Sequence, residues 1–141
     1  MNAAFVLDCS ATLPWVFHDE VSAAADRLLD ELAHGAQAWV PALWHLELGN
    51  VLVGAQRKKR IDQAGIEAFL SRLQVYDISV DPDTMSQAWN KILDLALLHQ
   101  LSTYDAAYLE LALRRNLPLA TLDTALIRAA TTAGVGLCLQ A

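Results

Sequence analysis

Apolar positions along the chain follow two periods. Short unbroken runs, the mark of strands covered on both faces, alternate with segments whose apolar residues recur at helical spacing. The first run is Ala3 to Asp8. Ser10 to Phe17 reads as a short helix that Pro14 confines to its first turns. Val21 to Leu32 is a stronger helix, with apolar residues at 21, 24, 25, 28, 29 and 32 and Gly35 as its stop. Ala38 to Val40 is a second strand, ended by Pro41. Helix resumes from Leu43 to about Arg60, and again from Asp62, an N-cap residue, to Val75. Asp77 to Val80 alternates like a half-buried or edge strand. Asp83 to Gln100 and Tyr104 to Arg115 read as long helices. Pro118 to Leu122 is a strand, Thr124 to Ala133 a helix closed by Gly134, and Val135 to Leu139 a last strand.

Strands spaced by helices pair in parallel through crossovers, which predicts an α/β fold: a three-layer α/β/α arrangement around a five-stranded parallel sheet. With no linker, repeat or low-complexity stretch, residues 1–141 are expected to form one domain. In such sheets a site lies beyond the carboxyl ends of the strands, near the switch in strand order.

Composition narrows the class. Of 141 residues, 55% are hydrophobic and 18% charged, which excludes disorder and implies a two-sided interior or an apolar surface kept for a partner. The longest uncharged apolar stretch, Leu32 to Leu46, is interrupted by Gly35, Gln37, Pro41 and two histidines, so no membrane span is expected. No secretory leader is read at the N-terminus, and Cys9 and Cys138 read as free thiols of a cytoplasmic protein. The net charge of −6 leaves no overall basic footprint, so contact with nucleic acid would rely on local cations or metal ions.

The chemistry lies in the carboxylates. Asp8 ends the first strand, Asp123 ends the fourth, and Asp105 opens a helix. Glu47 stands in the early turns of the helix after the second strand, with Asn50 three residues on along the same face. Each has an ordinary structural reading. Asp8 and Asp123 are placed to cap the helices after them, Asp105 to complete a capping box with Ser102, and Glu47 to face solvent. Together they read differently. Glu47 interrupts the run Ala42 to Leu52, where a charge needs a reason. Four carboxylates on one rim repel and raise one another's pKa values unless a cation neutralises them. Hard oxygen ligands without His or Cys suit Mg²⁺ or Mn²⁺. Such a rim is the apparatus of phosphodiester hydrolysis.

Four segments now resemble a known family. Val6-Leu7-Asp8-Cys9-Ser10, Glu47-Leu48-Gly49-Asn50, Tyr104-Asp105-Ala106-Ala107-Tyr108 and Ala120-Thr121-Leu122-Asp123 are similar to the acidic motifs of PIN-domain nucleases. Within that family the likeness is to VapC-type toxins of bacterial toxin–antitoxin modules. The resemblance implies a five-stranded PIN fold, Mg²⁺- or Mn²⁺-dependent endoribonuclease activity, a homodimer, and a cognate antitoxin whose tail enters the acidic groove. Carried over by position, Asp8, Glu47, Asp105 and Asp123 match the catalytic, metal-binding quartet. Ser10 and Thr121 match polar positions beside the metal, and Asn50 the residue that steadies the glutamate.

The remaining features have plainer readings. Arg57-Lys58-Lys59-Arg60 either solvates a helix C-terminus or contacts RNA backbone, and Arg114-Arg115 ends a helix. The four histidines lack metal-ligand spacing. Leu13, Trp15, Val16, Leu28 and Leu29 are candidate anchors for a partner helix. A receiver domain would need paired acids after the first strand and a late lysine, and Lys91 is the last lysine. A two-carboxylate glycosidase leaves two acids unexplained, and Ser10 sits in no nucleophile elbow. The rival that stays open is a PIN-like module that binds RNA or protein without catalysis.

Overall fold

The computed structural model describes residues 3–20 and 22–139. Four strands, β1 (Ala4–Leu7), β2 (Gln37–Val40), β3 (Asp77–Val80) and β4 (Leu119–Ala120), form one sheet in the order β3-β2-β1-β4. Every pair is parallel, with Ala4 opposite Gln37, Gln37 opposite Asp77 and Val6 opposite Leu119. The chain therefore steps outward from β1 through β2 to β3, then returns to the other side of β1. The switch point of this order is the crevice between the carboxyl ends of β1 and β4.

Burial follows from this order. Phe5, Val6 and Leu7 of central β1 are all buried, so both faces of that strand are covered. Edge strand β3 is only partly covered. The helices are α1 (Leu13–Val16), α2 (Ala23–Ala33), α3 (Trp44–Arg57), α4 (Gln63–Leu73), α5 (Thr84–Gln87), α6 (Lys91–His99), α7 (Thr103–Arg115) and α8 (Thr124–Ala133). Every residue of α7 from Ala106 to Ala112 is buried, so this helix is enclosed on all sides. It packs on β1, α6 and α8. None of the described helices is long and apolar enough to cross a membrane.

Several boundaries differ from the sequence expectation. The expected fifth strand, Val135 to Leu139, is reduced to one parallel bridge between Leu119 and Leu137. Its neighbour β4 is two residues long and offers few backbone groups: Leu119 donates to the Gly136 carbonyl at 2.8 Å and accepts from the Cys138 amide at 3.0 Å. The sheet therefore has four strands. The helix expected from Asp83 to Gln100 is broken into α5 and α6. Asn90 carries the break, because its side-chain amide bonds the Ser86 carbonyl at 3.3 Å and competes with the helical ladder. Ser10 to Phe17 divides into a 3₁₀ turn over Cys9–Thr12 and α1. Val21, the expected start of α2, lies outside the described residues, and α2 begins at Ala23 with Ser22 capping the Ala25 amide. The N-cap role of Asp62 and the closing role of Gly134, at φ +80°, match expectation.

A cluster of charged side chains lies within the packing. Asp81, immediately after β3 and 1% exposed, accepts from Arg114 at 2.6 Å, Arg115 at 3.3 Å and the Thr84 hydroxyl at 3.0 Å. Arg114 also grips buried Glu110 at 2.8 Å, and Arg115 stacks over Trp39 at 3.6 Å from the ring centre. Burial alone would raise the Asp81 carboxyl, but Arg114 and Thr84 hold it below its usual range. Arg114 and Arg115 thus end their helix as partners of a buried acid rather than as simple dipole cations.

Candidate functional site

The switch-point crevice contains the acids singled out in the sequence. Asp8, 6% exposed, takes up the N-cap position of the 3₁₀ turn but makes no capping bond with its side chain. Its Oδ2 instead accepts from two hydroxyls, Ser10 Oγ and Thr121 Oγ1, each at 2.7 Å. Each hydroxyl in turn accepts from a backbone amide beyond β4: Leu122 to Ser10 at 2.8 Å, Asp123 to Thr121 at 3.0 Å. Ser10 and Thr121 thus spend their single protons on Asp8, and this network ties the end of β1 to the end of β4. No side chain among the described residues donates to Oδ1, and the Cys9 backbone amide also eases the carboxyl.

Asp123 caps α8, its Oδ2 accepting from the Leu126 amide at 2.9 Å. Its structural reading is therefore correct, and the cap fixes its carboxylate beside Asp8. Ser102 caps α7 through the Asp105 amide at 3.1 Å, which sets Asp105 in the first turn. Glu47, in the first turn of α3, is half-buried rather than solvent-facing, and the hydroxyl of fully buried Tyr108 donates to its Oε1.

These acids feel one another. Burial raises the Asp8 carboxyl, the Ser10 and Thr121 hydroxyls pull it back, and the charge of Asp123 pushes it further up. Glu47 is raised by burial, eased by Tyr108, and pushed up by Asp8 and Asp105. Asp105 is raised by burial and then by Asp123 and Asp8. No Lys, Arg or His among the described residues pairs with any of the four. The rim is a set of like charges without a protein cation.

Tyr108 is the residue that sequence reasoning left without a role. An aromatic inside an apolar helix reads as core, and it is core, but its position one turn after Asp105 was the available signal. Asn50, the expected support of Glu47, is exposed and makes no hydrogen bond with it among the described residues. It lines, with Glu47, Val53 and exposed Tyr104, a groove of 760 Å³ along α3. Cys9 is packed, with its thiol toward the Trp44 carbonyl at 3.6 Å, and burial followed by the charges of Asp8 and Glu47 pushes that thiol far up. Among the proposed partner anchors, Trp15 and Leu28 are buried in the protein's own core, while Leu13, Val16 and Leu29 are part-exposed.

A fold of this order with its site at the β1/β4 crevice defines a class, and the family comparison names it. Residues 5–131 match the model of the PIN domain, and the chain belongs to that family, whose members are generally nucleases that use divalent metal ions. Solved structures agree on the fold. PAE2754 from Pyrobaculum aerophilum superposes with a TM-score of 0.70 at 22% identity, covering 98% of this chain and 91% of that one. A toxin–antitoxin complex from Klebsiella pneumoniae gives a TM-score of 0.56 at 19% identity, covering 85% of this chain and 87% of the other. None of the curated proteins matches this chain.

Proposed function

We propose that this protein is a divalent-metal-dependent endoribonuclease, a VapC-type toxin held in check by an antitoxin. One observation carries the reading. Asp8, Glu47, Asp105 and Asp123 arrive from four separate segments, couple electrostatically, and pair with no cation among the described residues.

The donor set fits a hard divalent cation. Among the described residues no three acidic, His or Cys side chains close a cage around an ion. That suits Mg²⁺, which keeps several waters and takes only one or two carboxylates plus substrate phosphate. Asp8, whose Oδ1 takes no side-chain donor among the described residues, and Asp123 are the first candidates to hold it, with Asp105 and Glu47 completing the acidic rim. Bound there, Mg²⁺ or Mn²⁺ would activate water and offset charge on the attacked phosphate. The chain's own contribution is orientation. Ser10 and Thr121 fix Asp8 through one oxygen and leave the other for the ligand. Tyr108 fixes Glu47, and capping bonds fix Asp105 and Asp123 on rigid helix starts.

The test is cleavage of RNA by the purified protein with Mg²⁺ or Mn²⁺, with excess chelator, and with Asp8→Asn. Cleavage lost in both controls supports the reading. Equal cleavage in chelator, or full activity of Asp8→Asn, refutes it and leaves a binding module.

Partners belong to the same proposal. An antitoxin is suggested by the toxin–antitoxin neighbour, and a groove of 420 Å³ between α1 and α4, lined by Trp15, Val16, Phe69 and Arg72, offers a place for a partner helix. Basic groups of the partner's tail could then pair with the acidic rim. A homodimer is proposed through the α5–α6 segment, where Met85, Trp89 and Leu97 are 74%, 90% and 74% exposed. A monomer by light scattering at micromolar concentration would refute it. The proposed location is the cytoplasm.

A further inference from the structure

The basic run at the end of α3 is the feature that the acidic site does not absorb. The chain has ten basic residues, and several are occupied. Arg114 and Arg115 hold Asp81, and Arg60 binds Asp19 at 2.8 Å and Glu20 at 3.0 Å. Arg57, Lys58 and Lys59 are exposed and make no ion pair among the described residues. They form a cationic patch on a protein of net charge −6.

Its position is specific. Glu47, Asn50, Gly54 and Arg57 stand at i, i+3, i+7 and i+10 of α3, a single helix face, and Lys58 follows directly as the C-cap residue. A rise of 1.5 Å per residue puts Arg57 about 15 Å from Glu47 along the axis. The groove of 760 Å³ covers the first part of this face, from Glu47 past Asn50 to Val53, with Tyr104, 64% exposed, on its wall. At Gly54 nothing lies within 4 Å of where a Cβ would stand, so the path stays open toward Arg57.

The residue at 59 adds a second observation. Helix α3 ends in a Schellman turn: the Lys59 amide bonds the Gln56 carbonyl and the Arg60 amide the Ala55 carbonyl, both at 2.9 Å. The residue in the left-handed position of that turn is Lys59, at φ +59°. Glycine or asparagine is favoured there, as at Gly35, Asn116 and Gly134 in this same chain. Among the described residues only Gln100, which leads into the loop before Asp105, joins Lys59 as a long side chain in this conformation. A lysine held against local preference points to use of its charge.

We propose that single-stranded RNA lies along this face of α3, with phosphates at Arg57, Lys58 and Lys59 and a base stacked on Tyr104 beside the acidic rim. The proposal rests on the ribonuclease reading and adds the track that places the strand. Backbone cations with an aromatic platform are the general means of holding single strands without sequence preference. Here they also offset the repulsion between RNA and the acids of the site.

The test uses a labelled 12-mer of uridine, bound in Mg²⁺ by the Asp8→Asn protein so that it is not cleaved, with anisotropy read over a salt series. Arg57→Ala/Lys58→Ala should weaken binding about tenfold and reduce the salt slope by about 1.4, or about 0.7 for each phosphate no longer neutralised. Lys59→Gly separates this role from a structural one. It relieves the left-handed strain, so the melting temperature should hold or rise while the slope falls by about 0.7. Tyr104→Ala should weaken binding with no change of slope. Unchanged affinity and slope in Arg57→Ala/Lys58→Ala and in Lys59→Gly would overturn the track while leaving the nuclease reading intact. A parent Asp8→Asn protein that binds no uridine 12-mer would overturn the track, and a wild-type protein that cleaves no RNA in Mg²⁺ or Mn²⁺ would overturn the nuclease reading as well. If those variants keep RNA binding but no longer bind polyglutamate, the patch serves an acidic protein and the RNA track is overturned.

Discussion

Asp81 and Asp8 each follow directly on a strand of the same parallel sheet, β3 and β1, and each is almost fully buried, yet their surroundings are opposite. Asp81 faces two arginines and a threonine, and those arginines also neutralise Glu110 or stack on Trp39. Asp8 faces two hydroxyls and, across the crevice, three more carboxylates. The first cluster is balanced within the protein. The second has no paired cation among the described residues, which is what the proposed metal ion would supply. A buried acid with its partners is a joint between β3 and α7, whereas an acid that pairs with no cation among the described residues, at a sheet's switch point, is a candidate site.

Replacing members of each cluster should give opposite results. Asp8→Asn should lower RNA hydrolysis by more than the roughly 10–100-fold typical of outer-shell changes at metal sites. It should leave the melting temperature equal or higher, because one of four repelling charges is removed. Arg114→Ala should instead destabilise the fold by about 3–5 kcal/mol, since it leaves buried Glu110 without its cation and Asp81 with Arg115 alone, and Asp81→Asn should cost less because the arginines it frees are partly exposed. Denaturant titration read by circular dichroism checks this, and a change below about 1 kcal/mol would put the joint elsewhere.

The pH dependence sharpens the contrast. Asp8, Glu47 and Asp105 hold their protons more tightly folded than unfolded. From their ordinary values of 3.8 and 4.5 upward, the metal-free protein therefore loses stability as the pH rises through the folded-state values. Asp81 has the opposite sign: its stabilisation is complete above 3.8 and is lost as the pH falls through its lowered folded-state value. Melting curves across pH should show the first slope shrinking in Asp8→Asn and the acid-side loss shrinking in Asp81→Asn. A smaller effect is expected at Tyr108. Tyr108→Phe removes the hydrogen bond from Tyr108 to Glu47, costing about 0.5–1.5 kcal/mol and lowering turnover about tenfold.

The two clusters were not equally legible in the sequence. Asp8 and Asp123 follow apolar runs directly, and Glu47 interrupts one, so period and position located the acids without any contact being known. Strand order was not legible, yet the rule that sites lie beyond strand ends was enough to bring the four to one rim. The Asp81 cluster joins residues 33 and 34 apart, and nothing local marks them as partners. Tyr108 was hidden for a related reason: a buried hydroxyl declares itself only by the carboxylate it meets 61 residues away. The expected fifth strand failed because strand patterning carries no information on how short its neighbour β4 is. The break at Asn90 failed because a side-chain bond outcompeted a regular helical pattern.

The missing positive charge at the rim is measured most directly by binding of Mn²⁺ followed by calorimetry. The wild-type protein should bind Mn²⁺ and melt at a higher temperature in its presence, by RT ln(1 + [L]/Kd) in free energy. The Asp8→Asn/Asp123→Asn protein, folded to the same melting temperature or higher without metal, should bind none. Absence of Mn²⁺ binding by the wild type at millimolar concentration, or equal binding by the double variant, would contradict the central claim.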